Sequence, residues 1–112
     1  MALHDQHYSP NGIAVSGNAV TGTPATIFAS TTGRLKIVSV TFIVDGAAAT
    51  PVVASLQSAG GGTTYTEVAL DTNAPTVTIP GFEVPSGGLQ VTNSAATPNV
   101  RCTVRYASAT LQ

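Results

Sequence analysis

The amino-acid sequence predicts an all-β protein: a single β-sandwich or jelly-roll-like domain of about eight short antiparallel strands, with an extended N-terminal arm. Two features support this fold class. Val, Thr and Ile, which favour strands, are common, whereas the helix-favouring residues Lys, Glu, Gln, Leu and Met are scarce. Turn signals separate short apolar segments about every 8–12 residues, as in a sandwich. The 112 residues suffice for one domain.

The first 22 residues form the predicted arm, because they are rich in polar residues, Gly and Asn and contain few apolar anchors. We predict that these anchors contact a partner: Tyr8, Ile13, Val15 and Val20. Residues 13–15 can form a short strand only by adding to the edge of a sheet. The domain proper is predicted to span residues 23–112. Removal of residues 1 to about 20 is therefore expected to leave a folded domain that no longer binds its partner.

The longest apolar run, residues 35–44, is the predicted central strand. It is rich in β-branched residues, contains no Pro or Gly, and ends at the turn signal Asp45-Gly46. A first strand at 25–29 and a turn at 31–33 precede it. Because both faces of the central strand are largely apolar, we expect it either to be covered on both sides for part of its length or to contain a bulge that switches faces.

The remaining strands follow from alternation of apolar and polar residues. Segments 52–57 and 65–70 are predicted half-buried strands joined by a Gly-rich loop. A short strand at 76–79 is predicted to end at Pro80-Gly81, followed by an extended edge piece at 82–85. Strands at 89–92 and 100–106 complete the domain. In the last strand the predicted inward side chains are Val100, Cys102, Val104 and Tyr106, and the predicted outward ones are Arg101, Thr103 and Arg105.

The low charge narrows the classes of partner. Only 8% of residues are charged, against about 25% in an ordinary soluble domain, and the net charge is −1. Such a surface gains little solubility from self-repulsion, so it suits either coverage in an assembly or a Thr/Ser-rich soluble face. Four basic against five acidic residues give no strong field for nucleic acid. With no signal peptide and no membrane-spanning run, we expect a protein made in the cytoplasm.

No set of residues has the spacing of an active site. His4 and His7, with Asp5 between them, lack a third ligand at fixed spacing, so a metal site is weakly indicated. A single cysteine, Cys102, excludes an intrachain disulfide, and its apolar neighbours favour a packing role. Nothing in the spacing pairs the acidic residues for catalysis or calcium binding: Asp45, Glu67, Asp71 and Glu83. We therefore predict no enzymatic activity and no cofactor.

Two further groups of residues point to binding. Arg101 and Arg105 share the outward face of the last strand, where they can pair with acids of a neighbouring subunit or form an ordinary solvated face. Without Trp, stacking on a sugar is possible only through the three tyrosines, Tyr8, Tyr65 and Tyr106. Exposure of one of the last two beside Glu67 or Asp71 would favour a carbohydrate-binding module.

Two stretches resemble small β-sandwich virion proteins of tailed bacteriophages. The first, TPATIFASTTGRLKIVSVTFIVDGAAATPV, spans residues 23–52: a strand ending in a Gly turn, a strand containing Val-Ser-Val, and a Thr/Ala-rich loop. The second, FEVPSGGLQVTNS, spans residues 82–94 and places a Val-Pro-x-Gly segment before a Leu-x-Val strand. The resemblance covers about residues 23–106 and consists of turns and alternation, with no invariant functional residue.

The resemblance implies a structural role in the virion without catalysis. A capsid decoration (cement) protein fits best: the arm lies across the shell, the partner is the major capsid protein or another virion protein, and the sandwich assembles as a homo-trimer or homo-dimer. The alternatives are a neck or tail accessory or fibre-attachment protein, and a carbohydrate-binding host-attachment module. A small hydrolase or metal protein is the remaining hypothesis, which metal content after purification would test.

Overall fold

The computed structural model describes residues 12–29, 35–85 and 87–108. In these ranges the chain forms eight strands and no helix, and the strands make two antiparallel sheets of four. This all-β architecture agrees with the prediction and is compatible with a β-sandwich. The strands are β1 (Gly12–Val15), β2 (Ala25–Phe28), β3 (Leu35–Asp45), β4 (Val52–Ser58), β5 (Thr64–Leu70), β6 (Thr76–Val84), β7 (Leu89–Asn93) and β8 (Asn99–Ser108).

The strand order is nested. Sheet 1 has the order β1-β8-β3-β6, and sheet 2 has the order β2-β7-β4-β5. The first strand therefore pairs with the last, the second with the seventh, the third with the sixth and the fourth with the fifth. The edge strands are β1 and β6 in sheet 1, and β2 and β5 in sheet 2.

One hydrophobic cluster joins the inner faces of the two sheets. Its largest fully buried side chains come from both: Phe42 and Ile37 from sheet 1, and Leu56, Leu70 and Leu89 from sheet 2. The apolar/polar alternation predicted for residues 52–57, 89–92 and 100–106 agrees with the burial pattern of β4, β7 and β8. Removal of this apolar surface from water is the main stabilising term of the fold.

Of the two arrangements expected for the central strand, coverage on both sides or a bulge, the structure contains the bulge. Opposite β8, Ile37 pairs with Tyr106 and Ser39 pairs with Arg105, which leaves Val38 as the extra residue. The bulge reverses the alternation, so that the inward residues are Leu35, Ile37, Val40, Phe42 and Val44. Strict alternation from Val40, Phe42 and Val44 would place Leu35 and Ile37 on the opposite face.

The predicted strand end at Pro80-Gly81 is wrong. Residues 76–84 form one strand, β6, which pairs with β3 along its whole length. Val44 N–H donates to the Pro75 carbonyl oxygen, so odd-numbered residues of β6 bond to β3 and Pro80 faces the open edge. An edge strand tolerates a proline at such a position because no donor is missing there.

Residues 12–22 of the predicted arm lie on the sandwich. Strand β1 pairs with β8, Ser16 is 4% exposed and Ala19 is fully buried. Ser16 N–H donates to the Cys102 carbonyl oxygen, and Cys102 N–H donates to Ser16 Oγ. These contacts argue against a removable segment up to residue 20. The rest of the predicted arm, including Tyr8, lies outside the described residues.

The side chain of Asn93 connects residues 12–22 to the loop that precedes β8 by hydrogen bonds. Its side-chain Nδ2 donates to the carbonyl oxygens of Ala19 and Pro98, each at 2.9 Å, and its Oδ1 accepts from Ala95 N–H.

We expect Asn93→Ala to lower the free energy of unfolding by about 2–3 kcal/mol, because buried partners lose their hydrogen bonds. Thr92→Ala, on the outer face of the same strand, should change it by about 1 kcal/mol or less. Chemical denaturation of both variants measures the difference, and equal losses would contradict this role.

Candidate functional site

The most exposed large apolar side chains of the described residues lie on β1. Ile13 and Val15 are each 59% exposed, whereas the next, Val53 on sheet 2, is 39% exposed. They project from the outer face of sheet 1, since alternate residues of a strand point to opposite faces. Two neighbouring apolar side chains at a sheet edge are the kind of patch that marks a contact surface.

Among the described strands, none pairs with the side of β1 that lies away from β8. Ser16 and Cys102 form a hydrogen-bonded pair, so in an antiparallel ladder residues 12 and 14 also bond to β8. Ile13 and Val15 alternate with them, and their N–H and C=O groups therefore face away from β8. This edge can accept a further strand.

From this edge toward the centre of sheet 1, the pairing registers align the outward side chains of neighbouring strands in rows. Ile13 stands opposite Arg105, which stands opposite Ser39. Val15 stands opposite Thr103, which stands opposite Thr41. We name this surface the arginine face; it comprises Ile13, Val15, Ser39, Thr41, Arg101, Thr103 and Arg105.

The charges of the described residues are distributed unevenly between the two sheets. All three described cations lie on sheet 1, whose strands also carry Asp45 and Glu83, whereas the one charged residue in the described strands of sheet 2 is Glu67. An Arg101 guanidinium nitrogen is 4.0 Å from Asp45 Oδ1, and both side chains are about half exposed, so this contact contributes little to stability. Arg105 is exposed and has no ion pair among the described residues. The arginine face therefore has cationic side chains available to a partner.

The structure brings together four of the predicted contact residues. Ile13, Val15, Arg101 and Arg105 lie on the arginine face. Val20 does not: it is half-buried and forms a bridge with Thr23 in a tight turn that follows the β1 segment. The sixth predicted residue, Tyr8, lies outside the described residues.

Cys102 is a core residue. It is 1% exposed in the hydrophobic cluster, and burial raises the pKa of its thiol to about 12. At neutral pH the group is therefore a neutral thiol rather than a thiolate nucleophile.

Local partners hold the side chains of Asp45, Glu67 and Asp71. Asp45 lies near Arg101, Glu67 accepts a hydrogen bond from Ser55 Oγ, and Asp71 Oδ1 accepts from the backbone N–H groups of Asn73 and Ala74 in a turn. Among the described residues no three His, Cys, Asp or Glu side chains are grouped as metal ligands. The predicted metal candidates His4 and His7 lie outside the described residues.

The two described tyrosines are packed against other aromatic rings. Tyr106 meets Phe28 edge-on with ring centroids 5.0 Å apart, and Tyr65 packs against Phe82 at 6.1 Å. Both tyrosines are half-buried. Both side chains are therefore partly occupied within the domain, which weakens them as platforms for a sugar ring.

A shallow cavity of about 350 Å³ lies between two loops at one end of the sandwich. Residues 47–52 form one wall, and Ala95, Thr97 and Pro98 form the other. The lining contains no charged side chain. Sequence reasoning did not identify this cavity, because it depends on how two loops about 45 residues apart in the sequence meet.

Comparison with protein-family models and with curated protein sequences gives no match. The described residues contain no helix that is long and apolar enough to cross a membrane. The strand order and the arginine face are therefore the features of the chain that bear on its function.

Proposed function

We propose that this protein is a non-enzymatic virion structural protein, a capsid decoration protein that binds the major capsid lattice and stabilises it. We also propose that the sandwich is a jelly roll. The observation that supports both is the nested strand order, β1-β8-β3-β6 facing β2-β7-β4-β5, which is the order produced when one long antiparallel hairpin is rolled up. Jelly rolls are typical of viral capsid domains and of lectins.

The arginine face supports a binding role on a repeated surface. Its open edge and the exposed Ile13 and Val15 are features that a soluble domain normally covers. A single contact of this size is weak. Presentation of two or three copies in a homo-dimer or homo-trimer, on a lattice of identical sites, multiplies such contacts through avidity.

The alternatives use the same surface in different settings. A neck, tail or fibre-attachment protein would bind a partner present in few copies per particle. A carbohydrate-binding role has the jelly-roll order in its favour, but Tyr65 and Tyr106 are engaged with Phe82 and Phe28. The decoration role is therefore preferred.

Quantitative mass spectrometry of purified virus particles whose genome encodes this sequence tests the proposal. We expect the chain in the particle at a fixed ratio to the major capsid protein, because decoration occupies every equivalent lattice site. A few copies per particle would favour the neck, tail or fibre alternative. Absence from the particle would refute a virion role altogether.

A second measurement tests the surface itself. Particles lacking the protein are mixed with purified full-length chain, and binding is measured by sedimentation. We expect Arg101→Glu combined with Arg105→Glu to weaken binding about tenfold or more, because like charges then face the partner. Glu67→Lys on the outer face of sheet 2 is the matched control and should bind as the unchanged chain does. Equal binding by all three would exclude the arginine face as the contact.

A further inference from the structure

We propose that the open edge of β1 binds one extended strand of its partner, in which an apolar residue is followed two positions later by a carboxylate. The carboxylate stands opposite Ile13 and the apolar residue opposite Val15. Identification of the strand as part of a capsid protein rests on the proposed function above. The chemistry of the strand follows from the edge alone.

The backbone register determines how such a strand binds. The N–H and C=O groups of Ile13 and Val15 face away from β8, so an added antiparallel strand forms hydrogen bonds with these two residues. Their side chains point to the outer face of sheet 1. Partner residues directly opposite them point to the same face.

The rows of the arginine face determine which side chains the partner needs. A partner residue opposite Ile13 extends the row Ile13, Arg105, Ser39 and lies two strands, about 10 Å, from Arg105. A long Arg side chain and a Glu side chain together span this distance across Ile13. A partner residue opposite Val15 extends the row Val15, Thr103, Thr41, which contains no charge, so an apolar residue fits there.

Charge distinguishes this partner from a second copy of the same chain. Two β1 strands paired antiparallel would place only Gly, Ile, Ala and Val side chains opposite one another, since β1 has the sequence GIAV. No carboxylate would then meet Arg105, which has no ion pair among the described residues. An acidic strand supplies the missing charge.

The test uses the full-length chain, labelled with ¹⁵N, and two capped peptides, Ser-Thr-Ile-Thr-Glu-Thr-Ser and the same peptide with Lys in place of Glu. The peptides are titrated into the labelled chain and followed by NMR. We expect the Glu peptide to bind about fivefold more tightly than the Lys peptide, and the amide chemical shifts that change should belong mainly to residues 12–16. Arg105→Glu should reverse this preference. Val15→Pro should abolish binding of both peptides, because it removes an N–H group that faces the open edge. The hydrogen bonds between β1 and β8 do not involve this N–H group and remain.

Several results would overturn the inference. Equal affinity of the two peptides, shifts away from β1, or an unchanged preference in Arg105→Glu would each do so. A dimer that is detected by light scattering and lost in Val15→Pro would instead assign the edge to a second copy. Circular dichroism of each variant establishes that it remains folded.

The two proposals can fail separately. Peptide discrimination as expected, with no chain found in particles, would retain the acidic-strand site and refute the virion function. Particle binding that is unaffected by Val15→Pro, without peptide discrimination, would retain the virion function and refute the site.

Discussion

A chain that lacks residues 1–20 is expected to be at least about 5 kcal/mol less stable than a chain that lacks only residues 1–11. The comparison isolates residues 12–20. Ser16 and Cys102 exchange two hydrogen bonds, Ala19 and Val100 exchange two more, and Asn93 Nδ2 donates to the Ala19 carbonyl oxygen. At about 1 kcal/mol for each hydrogen bond, these five alone give about 5 kcal/mol, and the ladder bonds of residues 12 and 14 to β8 add to the loss.

This loss is large for a domain of 112 residues. Single domains are stable by only about 5–15 kcal/mol, so the shorter chain is expected to be largely unfolded or to aggregate through the uncovered edge of β8. Urea denaturation followed by circular dichroism gives the two free energies, and size-exclusion chromatography detects aggregation. Equal stability of the two chains would mean that residues 12–20 are a removable arm, as the sequence pattern alone suggests.

The sequence pattern does not reveal the contacts of this segment, for a physical reason. Alternation identifies a strand by its own residues, and it succeeded for β4, β7 and β8 because the apolar residues at alternate positions of each strand are buried. Ser16, in contrast, is fixed by Cys102, 86 positions later in the chain. A polar residue held by such a long-range contact leaves no periodic trace in its neighbourhood.

The central strand shows how far local patterns reach. Apolar residues on both of its faces indicated either coverage on both sides or a bulge. They did not give the position of the bulge at Val38, because the register opposite β8 defines it. In the same way, Pro80-Gly81 has the composition of a turn. It becomes part of β6 because β6 is an edge strand, a property of the sheet order rather than of the residues themselves.

The candidate site also combines features that the sequence shows with features that depend on strand pairing. Exposed apolar residues at 13–15 and an arginine pair on the last strand are visible in the sequence. Their juxtaposition is not, since it requires β1 and β8 to be neighbours with Ile13 opposite Arg105. Val20, chosen for its apolar side chain, lies elsewhere because the chain turns at residues 20–23.

Gly81→Ala is expected to lower the free energy of unfolding by about 3 kcal/mol or more. The registers place Gly81 opposite Val38, where β3 bulges and both strands change the face they bury. A Cβ at residue 81 would overlap the carbonyl oxygen of Ile37 and lie 2.6 Å from that of Val38. Backbone atoms cannot rotate aside as a side chain does, so the two strands must separate.

Gly17→Ala is the matched control for this substitution. No atom lies within 4 Å of a Cβ built there, and the residue does not have a positive φ, so its stability should change by less than about 1 kcal/mol. Thermal unfolding of both variants, followed by circular dichroism, measures the difference. Similar midpoints would show that β3 and β6 have room at residue 81. The close approach of β6 to the bulge would then not be what makes glycine necessary there.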